Sequence, residues 1–133
     1  MARPTWDDYF ISIAERVAAR STCPRASVGA VITKDKRIIA TGYNGSMPGE
    51  GHCTEIGCLM VDNHCERTVH AETNAVIQAA KCGVSIEGAT LYLWGIRHEG
   101  NPEDIGKPVP SCIKCAQIVR AAGIVRVVTG GTV

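Results

Sequence analysis

The chain has 133 residues, 45% of them hydrophobic, which is enough for one compact core and predicts a single domain over 1–133. Its 14 basic and 13 acidic residues leave a formal net charge of +1, which speaks against the strongly basic face that nucleic-acid binding demands. No apolar run approaches the roughly 20 residues of a membrane span, and Met1 to Trp6 carries no hydrophobic signal core, so a cytoplasmic protein with no membrane attachment is expected.

Residues from about Thr5 to Arg20 read as an amphipathic helix, with Trp6, Tyr9, Phe10, Ile13 and Val17 on one face as core packing. Thr5 followed by Asp7 and Asp8 is a helix-start signal, since acids complement the positive end of a helix. Val28 to Thr33 and Arg37 to Thr41 are short β-branched runs, and the polar Lys34-Asp35-Lys36 between them predicts a hairpin. Gly42 to about Thr68 shows no periodicity, and a loop of that length inside a compact domain is usually functional or held by something. His70 to about Cys82 reads as a helix with Ala75, Val76, Ala79 and Ala80 on its apolar side, stopped by Gly83. Ala89 to Trp94 is an apolar strand, and Arg97 to Val109 is polar with Gly and Pro, so a loop is expected there. Cys112 to Ala122 reads as a third helix and Ile124 to Val128 as the last strand. Strands alternating with helices in this order predict an α/β layered domain with a partly parallel sheet.

Seven cysteines and four histidines need a reason. An odd cysteine count without a secretion signal argues against a disulfide framework and for metal. Cys112-Ile113-Lys114-Cys115 opens one predicted helix and His70-Ala71-Glu72 opens another. Thiols three residues apart in a first helical turn share one side of the helix, and the positive helix end favours their charged form. One imidazole and two thiolates leave a fourth tetrahedral position for water, which is the catalytic zinc arrangement. Glu72, two residues from the imidazole, suits an acid/base role beside that water. The Ala71 amide at the helix start has no intrahelical partner and could bind a substrate carbonyl oxygen.

With these motifs the sequence resembles the zinc-dependent cytidine and deoxycytidylate deaminases, in their dCMP branch. The resemblance runs from about Ser21 to Val128. It includes Val28 to Ile32, Thr41-Gly42-Tyr43-Asn44-Gly45-Ser46, Arg67 to Ala75, Ser85 to Tyr92 and Ala121 to Ile124. It implies a three-layer α/β/α cytidine-deaminase-like sandwich with a mixed sheet of four to five strands, and hydrolysis of dCMP to dUMP and ammonia. It assigns the catalytic zinc to His70, Cys112 and Cys115 and the proton shuttle to Glu72. It gives Asn44 the sugar hydroxyl, and Arg25 and Ser46 become candidates for the phosphate. It further implies a homo-oligomer with dCTP and dTTP as effectors, for which Lys81 is a candidate contact. Three features depart from the family pattern. Ser111 separates Pro110 from Cys112, the Trp94–Pro110 connection is long, and the chain stops at Val133 where a further strand is common.

Cys23, Cys53, Cys58 and Cys65 remain, with His52 and His64 adjacent. A second, structural zinc held by those four thiolates, with His52 or His64 as alternates, would pin the long loop, and the resemblance points the same way. Cys82 reads as a buried thiol and His98 as a solvated loop residue. Two other classes compete. A non-catalytic zinc module binding nucleic acid or a protein leaves Glu72 idle, and a thiol redox protein leaves His70 idle. Within the deaminases, another nucleotide, nucleoside or free base is the alternative substrate.

Overall fold

The computed structural model describes residues 2–46, 49–61, 64–65, 68–99, 103 and 113–130. Helix α1 spans Trp6–Ala18, and the Thr5 side chain accepts a hydrogen bond from the Asp8 N–H at 3.1 Å, as its position before two acids predicts. Strands β1 (Ala26–Lys34) and β2 (Arg37–Tyr43) form the expected hairpin. Its turn residues Asp35 and Lys36 have φ of 51° and 61°, the left-handed pair that a two-residue hairpin needs to match strand twist.

The stretch after β2 contains short elements that hydropathy does not reveal. These are β3 (Gly45–Ser46), α2 (Cys53–Ile56), β4 (Met60–Val61), β5 (His64–Cys65) and β6 (Thr68–Val69), with β3 pairing to β6 and β4 to β5. Then come α3 (Ala71–Lys81), β7 (Thr90–Arg97), α4 (Ile113–Ala121) and β8 (Arg126–Gly130). Strand β7 continues past Trp94 to Arg97, where a loop was expected, because every residue from Thr90 to Arg97 is registered against β1. Long-range pairing overrides local polarity there.

The main sheet has four strands in the order β2-β1-β7-β8, antiparallel except for the parallel β7–β8 pair. Alternate residues of each strand face opposite sides. Val28, Ala30, Ile32, Leu91 and Leu93 pack beneath α3 and α4, against Ala71, Ala75, Ala79 and Val119. Val31, Tyr92 and Trp94 pack on the other side against Phe10, Ala14 and Ala18 of α1. The result is the mixed α/β/α sandwich that the sequence predicts.

The buried face of α1 is rotated from expectation. Trp6 and Tyr9 are 46% and 43% exposed, while Phe10, Ala14 and Ala18 make the core contact. Small residues let α1 sit close to the sheet, and a Cβ on Gly29 would lie 2.5 Å from the Ala18 nitrogen. In α3 the buried side is Ala71, Ala75 and Ala79, and Ala80 faces out.

Candidate active site

Helix α3 is held onto the end of β2 by two devices. Gly42 has no Cβ, and one placed there would meet the Ala71 carbonyl oxygen at 2.6 Å. Asn74 Nδ2 donates to the Tyr43 carbonyl at 2.8 Å and to the Val69 carbonyl at 3.3 Å. These contacts fix the first turn of α3 relative to the sheet. His70 is the residue before that turn, with extended backbone, and the first intrahelical bond is Asn74 N–H to the His70 carbonyl at 2.9 Å. The N–H groups of Ala71 and Glu72 precede it and point out of the helix end.

Helix α4 brings Cys115 to the same place. His70 Nδ1 lies 3.2 Å from Cys115 Sγ, and Thr73 Oγ1 lies 3.5 Å from the same sulfur. Glu72 is only 3% exposed, although its side chain is a carboxylate. Ligand atoms of His70, Glu72 and Cys115 all lie within 4.8 Å of one another, the one such grouping of three among the described residues. Zinc–nitrogen and zinc–sulfur bonds of about 2.0–2.1 and 2.3 Å at a tetrahedral angle put the two donor atoms about 3.5 Å apart. The observed spacing therefore fits one shared ion, and the donor set fits a borderline-soft metal. Cys112 falls outside the described residues.

The other predicted residues are placed as follows. Asn44 is buried and crosses to β1, where its Oδ1 accepts from the Val28 N–H and its Nδ2 donates to the Ala26 carbonyl, both at 2.8 Å. Its amide ties the strand ends together and keeps one N–H in reserve. Ser46 Oγ is buried without a hydrogen-bond partner. The guanidinium of Arg25 lies against Met60 Sδ at 3.6 Å. Lys81 is exposed in the last turn of α3, about 15 Å along the helix from Ala71 at the standard rise.

Of the remaining cysteines, Cys23 and Cys53 are buried and Cys58 is half-buried. The Thr54 N–H donates to the Thr22 carbonyl at 3.2 Å, which brings the segments carrying Cys23 and Cys53 together. His52 caps α2, and its Nδ1 is buried with no hydrogen-bond partner. The side chains of His64 and Cys65 lie outside the described residues. Cys82 is exposed, not buried as expected, because α3 turns that position outward, and it accepts from Gln78 Nε2 at 3.3 Å. His98 is exposed, as expected of a loop residue, but its Nε2 shares a 2.7 Å hydrogen bond with Ser27 Oγ. Sequence reasoning passed over Thr73 and Asn74. A polar residue in a helix's first turn gives no sequence signal of a contact made across the fold.

In this layered α/β/α domain an imidazole, a thiol and a buried carboxylate converge from two helix starts, a group of the kind that could hold a metal ion beside an acid/base residue. The family model for the cytidine and deoxycytidylate deaminase zinc-binding region matches residues 4–131, and the chain belongs to that family. It is 47% identical over 124 residues to the ComE operon protein 2 of Bacillus subtilis (strain 168), covering 93% of this chain and 58% of that one. It is 36% identical over 139 residues to the deoxycytidylate deaminase of Mycobacterium phage D29, covering 96% of each. The chain thus spans little more than half of the Bacillus relative and nearly all of the phage one. Among solved structures, the dCMP deaminase from the cyanophage S-TIM5 in complex with dCMP and dUMP superposes with a TM-score of 0.75 at 26% identity, covering 98% of this chain and 85% of that chain.

Proposed function

We propose that this chain hydrolyses dCMP to dUMP and ammonia. The observation that carries the reading is the buried Glu72 carboxylate beside the His70 and Cys115 donor atoms. Relatives named deoxycytidylate deaminase, and the S-TIM5 enzyme crystallised with dCMP and dUMP, support the substrate.

His70 and Cys115, with Cys112, would hold Zn²⁺, which supplies Lewis acidity and an acidified water near neutral pH. Glu72 takes a proton from the attacking water and delivers one to the ring nitrogen beside the amino-bearing carbon. It then delivers the next to the leaving amine, so that water and dCMP become dUMP and ammonia. The outward N–H of Ala71 suits the ring carbonyl oxygen. The spare N–H of Asn44 suits a sugar hydroxyl. Ser46, with its unsatisfied buried hydroxyl, and Arg25 are candidates on the phosphate side.

Cys23, Cys53 and Cys58, with Cys65 and with His52 or His64 as alternates, are proposed to hold a second, structural zinc. The buried, unpartnered His52 Nδ1 and the junction of the segments bearing Cys23 and Cys53 support it. A cytoplasmic homo-oligomer answering to dCTP and dTTP, with Lys81 in the regulatory contact, completes the reading. No described helix is long and apolar enough to cross a membrane. Ammonia release from dCMP, CMP, dCTP, cytidine, deoxycytidine, cytosine and common purines tests the substrate. dCMP should give the highest kcat/KM, and turnover confined to an uncharged nucleoside or base would refute the assignment.

A further inference from the structure

We infer that Arg97 determines specificity for the nucleotide by holding the phosphate of the substrate. The inference rests on the reading of the substrate as a nucleotide. It starts from the extension of β7 to Arg97. Along β7, Tyr92, Trp94 and Ile96 pack on the α1 side, while Leu91 and Leu93 pack under α3 and α4. Strand alternation therefore sends Gly95 and Arg97 to the face that carries His70, Glu72 and Cys115.

The register fixes where on that face they lie. Gly95 is opposite Val28 and Arg97 is opposite Ala26, at the end of the sheet where β2 finishes and α3 begins. Val28 and Ala26 are also the two residues whose backbone Asn44 grips. Reading outward, this face of β7 presents a leucine floor, a glycine without a side chain, and then the half-buried residue Arg97. Gly95 itself is buried, so Arg97 is the first side chain past the apolar floor on this face.

A guanidinium set beside a substrate site suits an anionic group. The one ion pair among the described residues is Arg126–Asp7, at the far end of the sheet, so Arg97 has no described carboxylate partner. The rival cation, Arg25, is turned against Met60 on the β4–β5 side. A guanidinium fork matches phosphate oxygens in a bidentate way, and Lys does so less well.

The test compares wild type, Arg97→Gln, Arg97→Lys and Arg25→Gln on dCMP and deoxycytidine. Losing a charge-assisted contact should raise KM for dCMP roughly 10- to 100-fold in Arg97→Gln, with kcat within about threefold of wild type. Arg97→Lys should recover part of that loss, and kcat/KM for deoxycytidine should stay within about threefold. An unchanged KM for dCMP, an equal loss on both substrates, or a KM effect found in Arg25→Gln instead would overturn the assignment to Arg97. A wild-type protein inert toward dCMP would sink the nucleotide reading and this inference with it, whereas an active wild type with an indifferent Arg97→Gln sinks this inference alone.

Discussion

Asn74 fixes the first turn of α3, which carries the candidate site. Its amide bridges Tyr43 and Val69 across the site's edge. Asn74→Ala leaves two carbonyls short of a donor, and thermal unfolding should show a loss of about 1–2 kcal/mol. Metal affinity should fall in the same variant, since His70 is the residue before the turn that Asn74 anchors. A second residue-scale prediction concerns Asp7. The Arg126 guanidinium, then the Tyr92 hydroxyl, hold its carboxyl down to about 2 from an ordinary 3.8. The stability this adds is present above about pH 4 and is lost as the pH falls through about 2. The melting temperature of Asp7→Asn should therefore lie below that of wild type at pH 5, by a margin that narrows as the pH falls toward 2. A constant margin across that range would contradict it. His70, Glu72 and Cys115 were legible in the sequence because the chemistry dictates their types and local spacing. Arg97 was not, because its meaning comes from its register with Ala26 rather than from its neighbours in sequence.

At the scale of elements, two glycines let helices approach opposite faces of one sheet. Gly29 lies under α1 and Gly42 under the start of α3. An alanine at either position forces the helix outward, at about 1–3 kcal/mol. The consequences should differ. Gly42→Ala displaces the turn that carries Ala71 and Glu72, so its kcat should fall well beyond what its stability loss explains. Gly29→Ala should lose stability and keep kcat near wild type. Equal kcat values in the two folded variants would refute the assignment of catalytic geometry to the α3–β2 contact. The long helices and central strands were readable because their periodicity spans enough residues to register. The face of α1 differs from expectation at Trp6 and Tyr9, since aromatic residues at a helix start satisfy the apolar pattern while meeting edge to face at the surface. The two-residue strands β3 to β6 lie below what periodicity can detect. Partners distant in sequence define them, as when Gly45 pairs with Val69.

At the scale of the molecule, the sheet separates two jobs. The α1 side is apolar packing closed by the Asp7–Tyr92–Arg126 network. The α3/α4 side carries the donor atoms and the buried carboxylate. Metal bound only by the folded state adds stability through mass action. Chelation should therefore lower the melting temperature as well as abolish turnover, and added zinc should restore both. Glu72 is proposed to move protons beside a metal that it does not need to retain. The most direct test is dCMP turnover in Glu72→Gln, measured with metal content on the same sample. Wild-type metal stoichiometry with kcat reduced by about 10²-fold or more is the expected result. Turnover within a few-fold of wild type would contradict it.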